Sequence, residues 1–256
     1  MIIDADTHLT PFHEYGSDTN ADDLVAMMDS AGVDKTLSWA RRPYDRCKLK
    51  EVNQYIYESV KKYPHRIIGY GWVDPMLGAE YAMDTLKLCI EEYGFRGVKF
   101  NGCQSEHFSD DEKMVMPLLD YLADSGATVA FHTGGDAPDQ TSPYRIGKIA
   151  KRYPDMKILM VHIGCGGKSY DLSGQAIEVA KECPNIYMVG SDIRTNSLLN
   201  VIKQIGTDRL CFGSDAPFEN MKVEVNRYRT LFEEDLPKEA YEGIMSGNIL
   251  RFLEKK

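Results

Sequence analysis

Residues 1–10 read MIIDADTHLT. Ile2 and Ile3 open an apolar run suited to a buried strand, after which polar residues take over. Asp4, Asp6 and His8 are spaced by two, and side chains at that spacing lie on one face of a strand. A carboxylate and an imidazole stacked where the strand runs out make a pair of metal ligands; the plainer reading is a polar strand end entering a loop. The residues around and after His8 decide the fold. A doubly wound open sheet places a glycine-rich phosphate loop after its first strand, and ADTHLTP (5–11) has none. The alternative is a barrel, whose strands end in functional side chains.

The rest of the chain repeats a strand–helix rhythm. Strands are expected at 33–40 (VDKTLSWA), 67–73 (IIGYGWV), 95–100 (FRGVKF), 127–131, 157–161, 186–189 and 209–212. Between them run helices. One is capped by Asn20 and stops near Gly32. Others pass through Val52, Ile56 and Val60, span 79–93 with closure at Gly94, and end at Gly126. Later helices stop before Pro154 and Pro184, and one covers 198–205. Two more close the chain at 221–232 and 238–253. About eight units result, the count of a (β/α)8 TIM-type barrel forming a single domain over 1–256.

Composition narrows the function. A formal charge of −9 argues against a broad nucleic-acid-binding surface, and no Lys/Arg cluster suggests a membrane patch. Six scattered cysteines with no C-x-x-C pair read as reduced thiols, and no basic segment followed by an apolar run opens the chain. These features lead to the expectation of a cytoplasmic enzyme with a small-molecule substrate and neither nucleic-acid nor membrane partners. A homodimer stays open.

Three of the six histidines end expected strands: His8 in DTHLT, His132 in AFHTGG and His162 in MVHIGCGG. Asp215 in FGSDAP takes the equivalent place on strand eight. Catalytic groups gather at the carboxyl ends of barrel strands, so these side chains are expected to converge across the mouth. By period two, Ile158, Met160 and His162 share the inward face, while Leu159, Val161 and Ile163 face the helices. Cys211 and Gly213 precede Asp215 on the inner face, and Lys99 in GVKF also points inward. Asp, His, His and Asp form an N/O ligand set for a divalent transition metal, and no thiolate sits among them to suggest a closed structural zinc site.

With IDADTHL, GVKF, AFHTGG, VHIGCGG, FGSDAP and the closing GNILRFL in order, the chain resembles the amidohydrolase superfamily. The likeness is to its amidohydrolase-related branch, which includes aminocarboxymuconate semialdehyde decarboxylase. The resemblance implies a distorted barrel with one divalent metal ion, Zn²⁺ or Mn²⁺, held by Asp6, His8, His132 and Asp215. It makes His162 the catalytic histidine beside the metal. Asp6 departs from the commoner motif, which has histidine there, and a harder oxygen ligand favours Mn²⁺ beside Zn²⁺. A lysine on the GVKF strand bridges two metals in other branches; here Lys99 reads first as a charge partner and second as such a bridge.

A metal-activated water with Asp215 as proton acceptor and His162 as general acid or base serves hydrolysis of an amide or lactone. The expectation is therefore a metal-dependent hydrolase acting on a small, carboxylate-bearing substrate. The alternatives are a non-oxidative decarboxylase using the same residues and a catalytically inactive ligand-binding barrel. Arg41 and Arg42 after strand two and Arg194 after strand seven are candidates to grip a carboxylate. Trp72, with Trp39 and Tyr70, is a candidate aromatic wall.

Overall fold

The computed structural model describes residues 1–167 and 169–254. Its strands are β1 (Ile3–Leu9), β2 (Lys35–Ala40), β3 (Ile67–Gly69), β4 (Gly71–Trp72), β5 (Gly97–Phe100), β6 (Thr128–Gly134), β7 (Ile158–Gly166), β8 (Ile186–Val189) and β9 (Leu210–Cys211). All pair in parallel with their chain neighbours, β1 to β3 in one ladder and β4 to β9 in the other. β3 and β4 are one stave interrupted at Tyr70, whose amide donates to Ser38 O at 2.9 Å. The barrel closes where Ala5 N donates to Phe212 O (3.0 Å) and His8 N to Ala216 O (2.8 Å). Eight staves result, as the sequence rhythm indicates.

The helices outside the staves are α1 (Ala21–Ala31), α2 (Leu49–Lys62), α3 (Ala79–Lys87), α4 (Gly102–Ser105), α5 (Met116–Ser125), α6 (Pro143–Arg152), α7 (Ser173–Glu182), α8 (Thr195–Ile205), α9 (Met221–Phe232), α10 (Lys238–Glu242) and α11 (Asn248–Leu253). Their termini follow local chemistry. Asn20 caps α1 by accepting from Asp22 N and Asp23 N, and Gly32 ends it at φ +73°. Lengths differ from expectation at two places. The helices expected at 79–93 and 238–253 each loosen into a wider turn, at 88–92 and 243–247. None of the described helices is long and apolar enough to cross a membrane.

Two apolar layers separate inside from outside. Ile3, Leu37, Trp39, Leu159, Val161 and Val189 are among those filling the barrel, with Ile249 and Phe252 packed against them. Lys157, just before β7, donates to Arg251 O and Glu254 O, so the C-terminal helix sits over the end where β7 begins. That end is plugged, and the opposite end, where the strands finish, holds the polar residues.

The expected phase fails on β7. Leu159 and Val161 lie in the interior layer, whereas Ile158 and Met160 pack with the helices. His162 nevertheless reaches the inside, and Ile163 joins the outer layer. The cause is the backbone: His162, Ile163 and Gly164 have φ of +68°, +52° and +79°. Three consecutive left-handed residues rotate the chain and swap the two faces.

Candidate metal centre

The site is built from strand ends. β1 slips register against β2 between Asp4 and Thr7, so the even spacing of Asp4, Asp6 and His8 does not keep them together. Asp4 is turned away from the other two and accepts from Ser214 N (2.9 Å) and Ser214 Oγ (2.5 Å). Burial raises its carboxyl to about 7 against these hydrogen bonds. It ties down the turn that presents Asp215, a residue held at φ +61°.

Asp6, His8 and Asp215 form the centre. His8 Nε2 lies 3.6 Å from Asp6 Oδ1 and 3.4 Å from Asp215 Oδ1, and all three residues are buried. His8 Nδ1 is 3.1 Å from Ala40 O, and a carbonyl can only accept, so Nδ1 carries the proton and Nε2 is bare. Burial, and then the Lys99 charge, push this imidazole well below its ordinary range. This unprotonated nitrogen faces two carboxylate oxygens and accepts from the Trp39 indole N–H at 3.1 Å. Asp6 Oδ1 is itself buried with no hydrogen-bond partner among the described residues. Separations of 3.4–3.6 Å are wide for hydrogen bonds. They suit atoms that each approach a shared divalent ion to about 2.0–2.2 Å. The donor set fits the metal the resemblance implies: one imidazole and two carboxylates, in a pattern a cation satisfies.

The other expected members surround this core. Ser191 Oγ donates to Asp6 Oδ2 at 2.5 Å, which leaves it to accept from His162 Nδ1 at 3.0 Å. Ser191 therefore fixes both an expected ligand and the expected catalytic histidine. Burial, then His132 and Lys99, push the His162 imidazole well below its ordinary range. A second trio, His162, Asp192 and Asp215, also brings its ligand atoms within 4.8 Å of one another. His132 stands apart from both trios. Its ring is 4.8 Å from that of His162, but its Nε2 bonds both oxygens of Asp136 at 3.0 Å. Burial pushes the Asp136 carboxyl up, yet the bond and charge of His132 hold it at about 2.

A cavity of about 290 Å³ opens beside this cluster, and its wall includes His8, Lys99, His132, His162, Asp215 and Phe218. Lys99 is fully buried, with Nζ 3.6 Å from Asp6 Oδ1 and 3.8 Å from the centre of the Trp39 ring. Burial pulls its ammonium below the ordinary lysine range, while Asp6 and Asp215 oppose the shift.

None of the three candidate arginines lines this cavity. Arg41 pairs with Asp18 at 3.2 Å and lies between the Tyr15 and Phe218 rings, at 4.7 and 4.2 Å. Arg42 is half-buried, and Arg194 is exposed at the start of α8. Trp72 sits one layer behind, with its ring centre 6.0 Å from that of His8 and its backbone held by Asn53. Sequence reasoning missed Ser191, Asp192 and Asp136. The first two closely follow the strand β8, and strand ends are where such residues belong. Asp136 stands four residues after His132 in FHTGGD.

Comparison with known proteins shows the family. An amidohydrolase family model matches residues 3–255. The chain belongs to the amidohydrolase family. A gamma-resorcylate decarboxylase from Polaromonas sp. is 26% identical over 265 aligned positions, covering 81% of this chain and 75% of the relative. The solved 2,6-dihydroxybenzoate decarboxylase from Rhizobium superposes with a TM-score of 0.77 at 17% identity, covering 98% of each chain. A dihydroxybenzoic acid decarboxylase from Polaromonas sp., solved with bound manganese and the inhibitor 2-nitroresorcinol, gives 0.74 at 20% identity over 98% of this chain and 96% of its own. The family match and these enzyme relatives support an enzyme over an inactive barrel. They also overturn the expectation of a hydrolase: the relatives break a carbon–carbon bond, and the amide or lactone reading falls.

Proposed function

We propose that this protein is a metal-dependent, non-oxidative decarboxylase of a small hydroxylated aromatic carboxylate. One observation carries the reading: the Asp6–His8–Asp215 cluster, with its unprotonated nitrogen and orphaned carboxylate oxygen, lies at the barrel mouth of a chain whose curated relatives are decarboxylases. Asp6, His8 and Asp215 would hold one Mn²⁺ or Zn²⁺, and His132 would join them on leaving Asp136. A divalent ion there supplies positive charge that gathers and orients a substrate's anionic oxygens.

The chain's own residues do the rest. In the reaction a ring carbon takes a proton, the bond to the carboxylate breaks with its electron pair returning to the ring, and CO₂ leaves. Asp215 faces the cavity, in the same cluster of side-chain donors as His162. It is the group suited to hold and deliver that proton. His162, its Nδ1 committed to Ser191, presents its other ring edge to the same space and would relay a proton from solvent to Asp215, replacing the one left on the product. Phe218 meets the His8 ring edge-on at 5.1 Å and covers the site from the β9 side. A cavity of about 290 Å³ suits a small molecule such as one substituted ring.

The test incubates manganese- or zinc-loaded protein with 2,6-dihydroxybenzoate, 5-carboxyvanillate and related hydroxybenzoates, and with lactones and amides as controls, following CO₂ and acid separately. CO₂ release from at least one hydroxybenzoate is expected. No CO₂ from any of them, or acid release from a lactone without CO₂, overturns the assignment.

A further inference from the structure

Lys99 poses a physical problem that the metal ligands do not solve. Its ammonium is fully buried, yet Nζ has no hydrogen-bond partner among the described residues. An ammonium has three donors and no lone pair, so burying it unpaired is costly. What surrounds it is incomplete. The Trp39 face lies 3.8 Å away and the Trp72 face 5.5 Å, which hold the charge by cation–π attraction but accept no full hydrogen bond. Asp6 Oδ1 lies 3.6 Å away, and Asp6 Oδ2 is taken by Ser191. Asp6 Oδ1 is the very oxygen a metal would claim. Once it is claimed, the lysine loses its nearest counter-charge, with Asp215 drawn into the same metal cluster, and gains a cation as neighbour. The nearby carboxylates do not make up the loss, because Asp136 is bonded to His132 and Asp192 accepts from Gly167 N. Lys99 also forms part of the cavity wall.

We propose that Lys99 is the anion-binding residue of this cavity, donating from Nζ to an anionic oxygen of the substrate, a carboxylate or an ortho phenolate. The inference rests on the proposed aromatic carboxylate substrate and assigns the anion contact to a residue of the cavity wall, which Arg41, Arg42 and Arg194 do not line. Metal and substrate then depend on one another: the ion takes Asp6 from the lysine, and the bound anion replaces Asp6 as its partner. Lys99 is thereby a substrate-binding residue and not a bridge between two metals.

The test uses full-length, metal-loaded protein with 2-nitroresorcinol, an anion with no carboxylate to lose, and with 2,6-dihydroxybenzoate. Binding is measured by calorimetry and metal content by elemental analysis, for wild type, Lys99→Met and Lys99→Gln. The expected result is one metal per chain in all three proteins, with anion affinity about 10–100-fold weaker in both variants, the size of one charge-assisted hydrogen bond. Unchanged affinity in a metal-loaded variant overturns the proposal, as does failure of the wild type to bind either anion. Loss of metal in both variants, or two metals in the wild type, makes Lys99 part of the metal site and also overturns it. The two readings fail separately. Weakened binding without CO₂ release removes the decarboxylase but keeps Lys99; CO₂ release with unchanged binding does the reverse.

Discussion

At the scale of single residues, the centre is held by groups that are not themselves metal ligands. Ser191 spends its proton on Asp6 and its lone pair on His162, so one hydroxyl sets the direction of both. Ser191→Ala should leave the fold intact and weaken metal affinity about 10–100-fold, the usual effect of losing an outer-shell partner. A metal titration checks this, and wild-type affinity would show that Asp6 needs no such support. His162 behaves differently if its role is chemistry. His162→Asn should keep the metal while kcat falls by roughly 10²–10⁴. A metal-free variant would make it a ligand through the second trio with Asp192 and Asp215. Gly166 guards the neighbouring histidine, because a Cβ there would stand 2.7 Å from His132 Cε1. Neither Ser191 nor Gly166 announces itself in the sequence, since a serine and a glycine have many structural uses.

At the scale of elements, strand ends place the chemistry, and their backbone is strained where they do so. Of the five described non-glycine residues with positive φ, four (His162, Ile163, Asp192 and Asp215) lie at the mouth of the barrel. Such conformations cost on the order of 1–3 kcal/mol each and persist where surrounding structure enforces them. The exit of β7 concentrates them. Gly164, at φ +79°, would place a Cβ 2.8 Å from Leu172 O. Gly164→Ala should therefore destabilise the protein by roughly 1–3 kcal/mol, read as a lower denaturation midpoint. No change would mean that the turn relaxes freely. This kink also marks the limit of sequence reading. The alternation that correctly points Lys99 and Cys211 inward assumes regular strands, and it misassigns Leu159, Val161 and Met160. The β1 slip removes Asp4 from the expected face in the same way. Helix ends were legible because Asn20, Gly32 and Gly126 act through their own backbone and side chain, whereas a kink is enforced by distant neighbours.

At the scale of the whole molecule, the eight-unit rhythm and the missing phosphate loop sufficed for the barrel. The reaction was not legible, because a metal, a carboxylate and a histidine serve hydrolysis and decarboxylation alike. The same architecture gathers two carboxylates and an unprotonated imidazole nitrogen into a buried cluster, and a divalent cation bound there would stabilise the folded state. Stability is therefore expected to depend on metal. At a free Mn²⁺ or Zn²⁺ concentration about 100 times the dissociation constant, linkage adds about 2.7 kcal/mol to the folded state. For a chain of this length that corresponds to roughly 5–10 °C in Tm. Scanning calorimetry of chelated and reloaded protein reads the shift directly. His8→Ala serves as the control: it removes the central ligand, so its Tm should not respond to added metal. Equal Tm values for chelated and loaded wild type, with no binding in a parallel titration, would remove the metal from this site and the proposed chemistry with it.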